Sequence, residues 1–154
     1  MERPYKSLRE LLGAKPPAVY SVRANATVLD ALKLMAEKDI GAVLVMDRDK
    51  LVGIITERDY ARKGILTGRL AKDTPARETM SRNVLTVTPA HTVQQCMALM
   101  TERGIRHLPV VEDGRILGML SIRDLVAEVV SHHEHVIRDL QRDMMPILNT
   151  AGTY

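Results

Sequence analysis

The chain has no phenylalanine and no tryptophan, and its only aromatic residues are four tyrosines among 154 residues. Proteins that hold single-stranded nucleic acid stack bases on aromatic rings, and this sequence has little to stack with. There is one cysteine, Cys96, which excludes an internal disulfide and any zinc or iron–sulfur site built on paired cysteines. It also fits a reducing compartment. Long apolar runs are missing too. The longest lie around Ile40 to Met46, well short of the roughly 20 residues a membrane helix needs. Arg3, Lys6, Arg9 and Glu10 interrupt the N-terminal leucines, so no secretory segment is read there. The expectation is a soluble cytoplasmic protein with no membrane and no nucleic-acid partner. Net charge is only +3, without the basic stripe of a nucleic-acid binder.

What the chain does have is an internal repeat. Shifted by 65 residues, positions 19–59 align without a gap and share 12 identities over 41 positions. Among them are Thr27-Val28 with Thr92-Val93, Leu34-Met35 with Leu99-Met100, Gly53 with Gly118, and Arg58-Asp59 with Arg123-Asp124. Each repeat reads as strand, helix, strand, strand, helix. Val19–Val22 and Val84–Val87 are short β-rich runs. Thr27 with Asp30, and Thr92 with Gln95, have the spacing of a capping box at a helix start. Val28, Leu32, Met35 and Ala36 fall at helical spacing and predict the buried face. Ala42–Met46 and Leu108–Val111 are continuous apolar strands, followed by polar turns and third strands at Leu51–Ile55 and Ile116–Leu120. Second helices begin near Thr56 and Ser121, and Thr67–Thr74 reads as a linker. A single repeat of this size buries too little surface to be stable alone. The expected fold is therefore α/β, two βαββα repeats packed with pseudo-twofold symmetry.

Both third strands end alike, in Gly53-Ile54-Ile55-Thr56-Glu57-Arg58-Asp59 and Gly118-Met119-Leu120-Ser121-Ile122-Arg123-Asp124. A helix N-terminus offers free N–H groups that suit a phosphate. A carboxylate accepts two hydrogen bonds and suits a ribose diol, and Arg58 or Arg123 can meet phosphate oxygens. An isolated Ser/Thr-x-x-Asp is more often a plain capping box. Its recurrence behind a glycine in both repeats gives the ligand reading its weight.

This pattern resembles the CBS domain, and two in tandem resemble a CBS pair, or Bateman module, over about residues 7 to 130. Ile105-Arg106-His107-Leu108-Pro109-Val110-Val111 is similar to the family's second strand. The short Leu8–Leu12 segment looks like a lead-in matched by Arg77-Glu78 before Met80. On this reading residues 1–66 hold the first repeat with its lead-in, 67–75 the linker, 76–130 the second repeat and 131–154 a helical extension. The resemblance implies a regulatory module without catalytic residues. It would bind an adenine nucleotide (AMP, ADP, ATP or NAD(H)) in a cleft between the repeats and signal by conformational change to a partner enzyme. Asp59 and Asp124 would then hold ribose hydroxyls, with Thr56 and Ser121 facing ribose or phosphate. Arg106 and His107 would meet phosphate, and the backbone near Tyr20, Ala42 and Leu85 would flank the adenine. Gly41 and Ala42 stand where the second repeat has Arg106 and His107, so the two sites are not equivalent. The competing reading is a ligand-free module that dimerises or scaffolds an enzyme.

Two further features concern the C-terminal part. His132, His133 and His135 could suggest a metal, but no cysteine or paired carboxylate supports one, and none is expected. Val126, Val130, His133, Ile137, Leu140 and Met144 are spaced 4, 3, 4, 3 and 4 apart, an a/d seam that predicts a homodimer. Pro146 is expected to end that helix.

Overall fold

The computed structural model describes residues 4–16 and 18–150, with side chains to Met144. It forms two compact units. Residues 18–85 make a continuous central unit. Residues 4–16 join 86–150 in a composite one.

In the central unit, β1 (Ser21–Arg23) runs parallel to β2 (Ala42–Asp47), which pairs antiparallel with β3 (Lys50–Thr56). Between β1 and β2, α2 (Val28–Lys38) starts on the Thr27–Asp30 capping box. It buries Val28, Ala31 and Met35. Ala36, read as part of that face, is exposed: it lies about 100° around the helix from Met35. Val43, Val45 and Ile55 of the sheet pack with Ala31 and Met35 in one core. The second helix is short: α3 (Glu57–Asp59) passes into a π turn, Tyr60–Gly64, and a 3₁₀ turn, Ile65–Thr67. The region read as a linker carries its own 3₁₀ turn, Ala71–Asp73. After it, α4 (Ala76–Thr79) packs back on β3, where Met80 covers Gly53 so closely that a Cβ there would lie 2.3 Å from its sulfur.

In the composite unit, α5 (Val93–Arg103) and the hairpin β4 (His107–Glu112) with β5 (Arg115–Ser121) repeat this design. The bulge between Val45 and Met46 recurs between Val110 and Val111. The expected first strand at Val84–Val87, however, is reduced to one bridge, Val87 to Val110. Two prolines explain this. In the central unit the Leu44 N–H donates to the Tyr20 carbonyl at 3.1 Å, and the Ala24 N–H to the Met46 carbonyl at 3.0 Å. The residues 65 positions on from Leu44 and Ala24 are Pro109 and Pro89, which have no N–H to give.

The lead-in, grouped by sequence with the first repeat, packs against the second. Its helix α1 (Leu8–Gly13) opens on a Ser7–Glu10 capping box and buries Leu8 and Leu11. Leu12 lies over Gly118 of β5. The Lys6 N–H donates to Glu128 at 2.9 Å, Tyr5 stacks on His132 at 4.0 Å, and Arg9 pairs with Glu112. Glu128, His132 and buried Leu125 belong to α6 (Ile122–Thr150). That helix does not end at Pro146 but passes it to reach Thr150. A proline removes one N–H from the ladder, which bends or weakens a helix without always stopping it.

Candidate functional site

In the central unit the chain places Thr56 opposite Ala42, where β3 ends, and the Glu57 N–H donates to the Gly41 carbonyl at 3.1 Å. Tyr20 precedes β1 at the same end of the sheet, with the Lys38 ammonium 5.7 Å from its ring centre. Asp59 closes a capping box: the Thr56 N–H donates to Oδ2 at 3.1 Å, and the Asp59 N–H donates to Thr56 Oγ1 at 3.0 Å. Its other oxygen is also taken. The Ser81 hydroxyl donates to Oδ1 at 3.2 Å, and Lys63 Nζ lies 3.6 Å from it. Tyr20, Ala42, Thr56 and Asp59 thus gather at one sheet end. Arg58 is exposed and makes no ion pair among the described residues. Leu85 is half-buried at the end of the unit, and no strand pairing brings it to the others.

The composite unit repeats the frame with different chemistry. His107 pairs with Ser121 across the hairpin, and the Ile122 N–H donates to the Arg106 carbonyl at 2.8 Å. The Ser121 N–H donates to Asp124 Oδ2 at 2.8 Å. Lys15 Nζ donates to the same oxygen at 2.9 Å and to the Met119 carbonyl at 2.8 Å. Asp124 Oδ1 accepts no hydrogen bond among the described residues. Burial pushes the Asp124 carboxyl up, but the Lys15 ammonium and the Ser121 N–H outweigh it and leave its pKa below the ordinary value. Arg106 and Arg123 are exposed.

Lys15, Lys63 and Ser81 were not among the residues picked from the sequence. Lys63 could have been found, because it follows Asp59 by four residues on a helical turn. Lys15 and Ser81 meet their aspartates only through the packing of the two lead-ins. Of the other candidates, Cys96 is buried, and burial raises its thiol pKa, which keeps it protonated and inert. His132 is stacked on Tyr5, and His135 faces Asp139 at 3.8 Å. Among the described residues no three His, Cys, Asp or Glu side chains converge as metal ligands would. No helix among them is long and apolar enough to cross a membrane.

His107 is half-buried. Burial, then the Lys15 and Arg106 charges, hold its pKa below 6.5 against the opposing pull of Asp124. Between 6.5 and the folded value, the unfolded chain binds a proton that the folded chain does not, so stability rises with pH there. Acidification from about pH 7.5 to about 5.5 is expected to weaken the composite unit, and His107→Gln to remove that part of the loss. Urea unfolding of both proteins at both pH values checks this. Equal losses in the two would assign the pH dependence to other groups.

The family model for the CBS domain matches twice, over residues 9–65 and 76–131. A mitochondrial CBS domain-containing protein of Arabidopsis thaliana is 43% identical over 119 residues. The match covers 74% of this chain but only 58% of the plant protein, little more than half its length. A solved CBS-domain structure from Burkholderia ambifaria is 48% identical with a TM-score of 0.79, covering 82% of this chain and 95% of that one. A CBS domain protein from Pyrobaculum aerophilum, solved in complex with AMP, is 26% identical with a TM-score of 0.72, covering 84% and 99%. With both repeats matched, both motifs in place and the α/β frame duplicated, the chain belongs to the CBS-domain family and carries two of its repeats in tandem.

Proposed function

We propose that the chain is a non-enzymatic sensor that binds an adenine nucleotide and reports it to a partner by a change of shape. The observation that carries this is Asp124. One of its oxygens is committed to the helix cap and Lys15, while the other accepts nothing among the described residues. Lys15 Nζ is bound to Asp124, His107 lies near enough to feel the Asp124 charge, and Arg106 in turn acts on His107. A carboxylate with a free oxygen can accept from a ribose hydroxyl, and the neighbouring cations suit the phosphate. The AMP complex of the Pyrobaculum protein supports an adenine nucleotide as the ligand class. Asp59, with both oxygens engaged, makes the weaker site.

Micromolar affinity, about −8 kcal/mol, suits a sensor of a metabolite. At a hundredfold excess over its dissociation constant a ligand stabilises by about 2.7 kcal/mol, which is roughly 5–10 °C in Tm for a chain of this size. The test is a thermal melt of nucleotide-free protein with AMP, ADP, ATP and NAD in turn. An unmoved Tm with all four would overturn the reading and leave the ligand-free scaffold.

A second feature favours another copy of this chain as a partner. Val126, Val130, Ile137, Leu140 and Met144 of α6 are 44–58% exposed, and His133 in the same row is exposed too. A continuous apolar strip costs about 25 cal/mol for each Å² left in water. Covering it with the same strip of a second chain gives a two-stranded seam. Light scattering is expected to give a dimer for the full chain and a monomer for Ile137→Glu with Leu140→Glu. Both positions are exposed, so the units should fold unchanged. A monomeric parent, or a dimeric double variant, would remove α6 as the interface.

A further inference from the structure

The central unit has a second charged concavity, at the opposite end of its sheet from Thr56 and Asp59. Strand β3 begins there at Lys50, six residue steps from Thr56, a distance of about 20 Å at the rise of an antiparallel strand. The concavity is open to solvent, with a volume of about 510 Å³, and its charged lining residues are all exposed. Met46 and Ala24 supply apolar lining, and around them stand Arg23, Arg48, Arg77, Asp47, Asp49 and Asn25.

Three chain segments are tied together to make it. The Ala24 N–H donates to the Met46 carbonyl at 3.0 Å, the Arg77 N–H to the Ala24 carbonyl at 3.1 Å, and the Ala76 N–H to the Ala26 carbonyl at 2.7 Å. The framework is thus fixed by backbone bonds, while the charged side chains are left over. Among the described residues, none of the three guanidiniums makes an ion pair or a side-chain hydrogen bond, although two aspartates line the same cavity. Arg48 is also held at φ 56°, in the left-handed region that favours glycine, asparagine or aspartate. The fold does not require arginines here. The positions 65 residues from Arg23, Arg48 and Arg77 are Thr88, Asp113 and Leu12.

The geometry points to a binding site for a small phosphate ester that also carries hydroxyl groups. Each guanidinium offers five N–H donors in a planar fork that matches phosphate oxygens two at a time. Asp47, Asp49 and Asn25 would repel or ignore a bare polyanion but can accept from hydroxyls on the same ligand. This site is independent of the nucleotide reading at Asp124: it shares no residue with that motif.

Calorimetric titration of the full chain with ribose 5-phosphate and with inorganic phosphate at moderate salt tests it. Ribose 5-phosphate is expected to bind, and at least tenfold more tightly than inorganic phosphate. Arg48→Gly with Arg77→Gln is expected to weaken it at least tenfold without lowering Tm, since glycine relieves the positive φ. Arg103→Gln with Arg115→Gln, two exposed arginines of the other unit, should leave it unchanged, as should Asp124→Asn. No binding of ribose 5-phosphate, equal binding of inorganic phosphate, or equal loss in the control arginine pair would overturn the proposal. Loss on Asp124→Asn would overturn it too, by moving the phosphate to the motif.

Discussion

Leu8→Ala is expected to destabilise the second repeat, not the first. Leu8 is fully buried, and a large-to-small change at such a position costs about 2–5 kcal/mol. By sequence Leu8 stands just ahead of the first repeat, yet its helix is bound to β5 and α6 through Leu12, Lys6 and Lys15. Residue-resolved hydrogen exchange is the decisive measurement. Amides of β4 and β5 should lose protection by the amount of the destabilisation, while those of β2 and β3 keep theirs. Loss centred on β2 and β3 would show that the lead-in belongs with its sequence neighbours in solution.

Asp124→Asn is expected to weaken nucleotide binding roughly tenfold to more than a hundredfold, the size of a lost charge-assisted pair at about 1.5–3 kcal/mol. Asp59→Asn should change it by less than about threefold, because both Asp59 oxygens already serve Ser81, Lys63 and the cap. Asparagine caps a helix nearly as well as aspartate. The Asp124 variant therefore keeps its fold, losing only the Lys15 pair. That pair is present above the ordinary carboxylate pKa of 3.8 and disappears as pH falls through the lower folded value. Equilibrium dialysis with the nucleotide that raises Tm measures both variants. Equal, small effects would leave both aspartates as caps only.

The reading from sequence succeeded where the determinant was local. The hydroxyl-to-N3 boxes at Thr27–Asp30, Thr56–Asp59, Thr92–Gln95 and Ser121–Asp124 and two hairpins follow from residues within a few positions of each other. The apolar row on α6 followed from spacing alone and is exposed as a row. The missing strand at Val84–Val87 was also written in the sequence, in Pro89 and Pro109, but only as a pair: neither proline says which partner it deprives. What was not legible is the exchange of lead-ins. Residues 8–12 have a helical pattern whichever repeat they join, and nothing in their spacing names Gly118 over Gly53. Lys15 escaped for the same reason, since its partner lies 109 positions away.

That exchange also sets an order of events during synthesis. The first lead-in leaves the ribosome long before the strands that cover it, while residues 18–85 emerge as one unbroken stretch. At about 5–20 residues per second, the 68 positions of the central unit alone take roughly 3–14 s to make. Through that interval Leu8, Leu11 and Leu12 have no strand to rest on. Arg9 and Glu10 between them, and Lys6 and Lys15 at the flanks, keep the waiting segment charged, which discourages it from joining the same segment of a neighbouring nascent chain. The contact of that segment with β5 therefore forms only after the whole central unit has been made.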